Sequence, residues 1–153
     1  MRVSDHVIYC LPLSLAFSLY LKSPLPGLLC LASGVLIDVD HTIEYVQAYG
    51  FNLGCLKKLL IATQVKSKNK KISDFKKMYL IFHSLEFVII FWIIGLATKN
   101  LYFISAISGY SLHILLDFIG NREYPRFYWI IWRAKNKFLV EKILRVEINK
   151  EQL

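Results

Sequence analysis

Three short stretches of the chain carry side chains able to bind a cation or move a proton. They are IDVDH at 37–41, with Asp38, Asp40 and His41; HSLE at 83–86, with His83 and Glu86; and HILLD at 113–117, with His113 and Asp117. A further histidine, His6, stands at the start of the first apolar run. On a helix, the i, i+4 spacing of His113 and Asp117 stacks both side chains on one face. The i, i+3 spacing of His83 and Glu86 does the same, in mirror order to the Glu-x-x-His pairs of helical-bundle metal sites. In IDVDH, Asp38 and His41 share a face if the helix continues. Asp40 then points aside, as a bridging ligand, the partner of a ligand, or a helix-end group. Imidazoles and carboxylates without thiolates suit Zn²⁺, Mn²⁺ or Fe²⁺. The donors are too many for one tetrahedral ion, so two or more ions with bridging carboxylates are expected. Such an arrangement stabilises attacking and leaving oxygens in phosphoryl transfer.

The elements that must position these residues are apolar. Of the 153 residues 56% are hydrophobic, and the mean hydropathy is +0.44. Soluble domains usually hold ~45–50% apolar residues, so a membrane protein is expected. Four segments support this, at 6–21, 24–37, 79–97 and 101–118. Only the third approaches the ~20 apolar residues that cross a bilayer comfortably. No small-residue cleavage site follows Leu21, so the first segment reads as retained. The three cysteines, Cys10, Cys30 and Cys55, lack CxxC spacing and read as small buried hydrophobes.

The net charge is +8, with eight lysines between Lys57 and Lys77 and eight Lys or Arg between Arg122 and Lys150. Short loops rich in Lys and Arg stay in the cytoplasm. The expected architecture is therefore all-α: an integral membrane four-helix up-down bundle over 1–121, in the cytoplasmic membrane, with both termini cytoplasmic. A basic aromatic tail, 122–153, should form a C-terminal amphipathic interfacial helix. In this topology the cytoplasmic ends carry His6; Asp38, Asp40 and His41; His83 and Glu86; and His113 and Asp117. All four histidines fall in one layer. Carboxylates at the edge of hydrocarbon repel one another unless cations or protons neutralise them, and ionisable groups there are functional by default.

Membrane lipids are the expected partners of the basic loops. Nucleic acid is not, because the lysine run lacks arginines and interleaved aromatics. No nucleophile elbow, Walker loop or GxGxxG is present, which argues against covalent and nucleotide-cofactor chemistry.

The ordered series of His6, LIDVDH, FHS and GYSLHILLDF resembles the YdjM-like membrane-bound metal-dependent hydrolases, whose pattern reads approximately LLPDIDH, H-R-G-x-T-H-S and G-x-x-x-H-x-x-x-D. The match runs from His6 to Asp117. HxxxD is also similar to the motif of zinc-dependent phospholipase C and P1-type nucleases, helical proteins that hold a cluster of zinc ions. The resemblance implies metal ligation by His6, Asp38, His41, His83, His113 and Asp117, with Asp40 also, and Zn²⁺ ahead of Mn²⁺ or Fe²⁺. Ile37 replaces the family's proline, and Met78, Tyr79 and Leu80 replace its His-Arg-Gly. Glu86 is placed to supply the missing ligand.

The expected activity is hydrolysis of a phosphoester, on a small molecule or a lipid, by metal-activated water. Asp40 or Glu44 would take the proton. The alternative is a non-catalytic metal-binding or ion-handling membrane protein. No repeat relates the two halves, and the layer lies at one end of the spans rather than mid-membrane, which disfavours a transporter. A histidine-box diiron oxygenase ranks last, since four histidines are few for that class.

Overall fold

The computed structural model describes residues 3–51, 77–122 and 124–144, without the side chains of Glu44 and of 47–49. The lysine run at 57–76, Cys55 and the end of the tail lie outside these residues. The described chain is mostly helical, with one isolated bridge between Lys77 and Leu139. Its longer helices are α1 (Val3–Tyr20), α2 (Pro24–Leu36), α3 (His41–Tyr49), α4 (Leu85–Thr98) and α5 (Leu101–Gly120). A 3₁₀ turn, Ile37–Asp40, joins α2 to α3 without a break in helical direction. Beyond α5 come a 3₁₀ turn at Pro125–Tyr128, α6 (Ile130–Lys135) and α7 (Val140–Leu144).

Among the described residues, three helical runs are long and apolar enough to cross a membrane: Val3–Tyr20, Pro24–Ile43 and Leu101–Gly120. They turn apolar side chains outward, among them Ile8, Leu15, Leu28 and Leu115. α2 packs most extensively against α5 and α1, and α4 against α5. Small residues set the α2–α5 crossing. A Cβ at Gly109 would run into the Cys30 carbonyl, so the two backbones touch, and Ser33 Oγ donates across the seam to the Ala106 carbonyl at 2.6 Å. Ser14 Oγ ties α1 to α2 through the Gly27 carbonyl at 2.7 Å. Close backbone approach with hydroxyl cross-links is how helices associate where lipid removes the hydrophobic drive.

Two expectations need correcting. The third apolar segment, the longest in the sequence, gives a helix of only 14 residues, because α4 starts at Leu85 rather than near 79. The backbone groups of 79–83 are committed elsewhere. Tyr110 Oη donates to the Phe82 carbonyl at 2.5 Å, Asp40 takes the Phe82 N–H at 2.8 Å, and the Tyr79, Leu80 and His83 carbonyls accept from Arg133. At 14 residues α4 is about 21 Å long, short of the ~30 Å hydrocarbon core. The tail, in turn, is not one amphipathic helix over its described part. Lys137 and Phe138, at φ 56° and 58°, break it into α6 and α7. Tyr128 packs with Tyr110 and Ile114, and Val140 and Ile143 pack with Tyr45.

Candidate metal centre

Four side chains from three parts of the chain converge at one end of the α1–α2–α5 assembly. Asp38 comes from the 3₁₀ turn after α2, His83 from the non-helical approach to α4, and His113 and Asp117 from α5. Each turns one donor atom toward a common point, and these atoms all lie within 4.8 Å of one another. His83 Nε2 and His113 Nε2 are 3.3 Å apart. Asp38 Oδ1 is 3.6 Å from the former and 3.7 Å from the latter; Asp117 Oδ2 is 3.9 Å and 3.7 Å away. Two ligands each ~2.0–2.1 Å from a tetrahedral ion stand about 3.3–3.4 Å apart, so the quartet needs only a small contraction to close on a cation.

The far side of each imidazole decides which nitrogen faces inward. His113 Nδ1 lies 2.8 Å from the Gly34 carbonyl, an acceptor only, so Nδ1 donates and Nε2 keeps its lone pair for the centre. His83 Nδ1 lies 3.3 Å from Asp40 Oδ2 and is fixed in the same sense. An imidazole that donates its outer N–H to a carbonyl or carboxylate is the usual support of a metal-bound histidine. Two inward lone pairs 3.3 Å apart, flanked by two carboxylates, repel unless a cation or a proton lies among them. The donor set could thus hold a metal ion.

The remaining candidates divide by position. His6 is fully buried and stacks on His113, with ring centroids 3.9 Å apart; its Nε2 is 3.3 Å from Asp117 Oδ1, the oxygen turned away from the quartet. His6 Nδ1 has no hydrogen-bond partner among the described residues. His41 lies at the rim, its Nε2 3.8 Å from Asp38 Oδ1 and its side chain 25% exposed. The four histidines form one contact series: His6 on His113, His113 edge-on to His83, and His83 beside His41 at 5.0 Å. Asp40 stands behind His83, outside the quartet. Glu86 also stands outside it: Oε2 and Oε1 accept the Ile130 and Ile131 N–H groups at 3.0 and 3.1 Å. The i, i+3 spacing of His83 and Glu86 does not apply, because His83 precedes the helix and Ser84 is its N-cap. The side chain of Glu44 lies outside the described residues.

Two supports were not legible as such. The Gly34 carbonyl leaves no signal in a sequence, since every residue has one. Arg133 does leave one, as the first cation after the apolar run WIIW, but it reads there as an interfacial residue.

Comparison of the chain with protein-family models, with curated proteins and with solved structures finds no match.

Proposed function

We propose that this chain is a membrane-bound metal-dependent hydrolase of the YdjM-like kind, cleaving a phosphoester with water. The observation that carries the reading is the quartet of Asp38, His83, His113 and Asp117 with both imidazole Nε2 atoms held inward from behind. These four would hold a divalent ion, Zn²⁺ first. His6, with the outer oxygen of Asp117, offers donors toward a second. A bound ion there supplies Lewis acidity and lowers the pKa of water. The backbone gives further support: Leu80 has φ 39°, the left-handed conformation glycine favours, at the position where the family pattern has its Gly. In this reading the fold is the four-helix up-down arrangement with both termini cytoplasmic, and α4 is its short third crossing.

The chain's own residues then have distinct tasks. Asp40 holds the His83 ring and is engaged by the Phe82 N–H, so it positions rather than takes the proton. His41, at the exposed rim, takes the proton from the attacking water. A groove of about 460 Å³ with apolar walls, lined by Leu36, Ile37, Val39, Ile43 and Phe91, reaches Asp40 and supports a lipid-linked ester as substrate.

The test is a phosphoester panel, lipid-linked and soluble, assayed on protein purified in detergent. Hydrolysis abolished by chelator and by His113→Ala is expected. His41→Gln should keep its metal and lose about 10²–10⁴-fold in kcat. Metal-loaded protein that hydrolyses nothing would move the assignment to the ion-handling alternative.

A further inference from the structure

His83 is the one member of the quartet that no helix carries. Residues 78–82 leading to it run through a turn with Leu80 at φ 39°, a conformation that a leucine holds only where its surroundings enforce it. The surroundings are the tail. Arg133, fully buried, spreads its guanidinium over this turn: one terminal nitrogen donates to the Tyr79 and Leu80 carbonyls, the latter at 2.6 Å, and the other donates to the carbonyl of His83 itself at 3.1 Å. The bond pattern runs back in the opposite direction through Glu86, whose carboxylate takes the two N–H groups at the start of α6, the helix that carries Arg133. The Met78 N–H adds a third tie, to the Phe138 carbonyl at 2.9 Å.

We propose that Arg133 is a positioning residue for the metal centre, acting through His83, with Glu86 as the latch that seats it. The inference rests on the metal-centre reading above. His83 is thereby held at both ends, its ring by Asp40 and its backbone by Arg133. A planar fork of always-charged donors suits three carbonyls on one turn; the compact ammonium of lysine cannot span them. The tail is then part of the centre's scaffold, and the polar residue that the HSLE spacing offers as a ligand is instead what holds the tail in place.

The test compares full-length wild type, Arg133→Gln, His83→Ala and the double variant in detergent, reading Co²⁺ affinity by titration and the visible spectrum of bound Co²⁺. Arg133→Gln should weaken Co²⁺ binding by about 10–100-fold, the usual effect of losing a residue that orients a ligand, and should alter the spectrum. In the His83→Ala background the same substitution should change affinity by less than about 3-fold, because its effect is already lost. Arg126→Gln, an exposed arginine of the same segment that sits over Trp132, should leave both readouts at wild-type values. If Arg133→Gln does not fold, Arg133→Lys and Glu86→Gln take its place, each expected to weaken Co²⁺ and shift the spectrum in the same direction. Wild-type affinity and spectrum in these variants, or an equal loss with and without His83, would overturn the inference. Wild type that binds no Co²⁺ at all would overturn the metal reading itself, a result distinct from tight binding that ignores Arg133.

Discussion

The Asp40 carboxylate sits behind His83, where Oδ2 receives the Phe82 N–H and faces Nδ1 of the imidazole, so its charge orients the His83 ring from outside the quartet. Asp40→Asn keeps the shape but not the charge, and should weaken metal binding about 10–100-fold in a competition titration against a chelating dye. Unchanged affinity would contradict this role. The same carboxylate bears on pH. Burial pulls the His83 pKa down from 6.5, but hydrogen bonds to Asp38 and Asp40 and the charge of Asp117 outweigh it and push the pKa up to about 9. In metal-stripped protein this raised pKa adds stability below pH ~6.5 that is lost as the pH climbs through about 9. A metal must displace that proton, so apparent affinity should rise about tenfold per pH unit up to about 9. A flat profile would contradict the assignment of His83 as a ligand. At this scale the sequence was informative where helical spacing applied, as for His113 and Asp117. It was misleading for His83 and Glu86, because an N-cap intervenes and no local pattern announces that residues 79–83 spend their backbone bonds on Arg133, Asp40 and Tyr110.

Among the elements, the pairing of α2 with α5 does most to build the centre, since it brings Asp38 beside His113 and Asp117 and puts the Gly34 carbonyl behind the His113 ring. The pairing depends on Gly109 lying against the Cys30 carbonyl. Gly109→Ala should push the helices apart, with a loss of about 1–3 kcal/mol in detergent unfolding and weaker metal binding alongside. Full stability would show that the seam relaxes without consequence. The apolar runs made α1, α2 and α5 legible. They could not show that α2 passes through a 3₁₀ turn into α3, which keeps Asp38 and His41 within 3.8 Å of each other, or that the tail is broken at Lys137 and Phe138. Those features follow from bonds between parts of the chain far apart in sequence.

At the scale of the whole molecule, the described residues include three membrane-length helices with apolar side chains on their outer faces, a surface suited to lipid. The protein should stay in the membrane fraction through alkaline carbonate and high salt and leave it only in detergent; release by carbonate would contradict membrane insertion. That an apolar assembly gathers four imidazoles and the Asp38, Asp40 and Asp117 carboxylates at one end is its central chemical fact. The sequence points to that layer through the four histidines, which the structure brings into one contact series. The most direct measurement is the metal content of purified protein, wild type against Asp38→Ala and His113→Ala. About one divalent ion or more per wild-type chain is expected, and its loss in both variants while their folds persist. A wild type free of metal after purification in zinc-supplemented medium, or variants that keep the full complement, would contradict it.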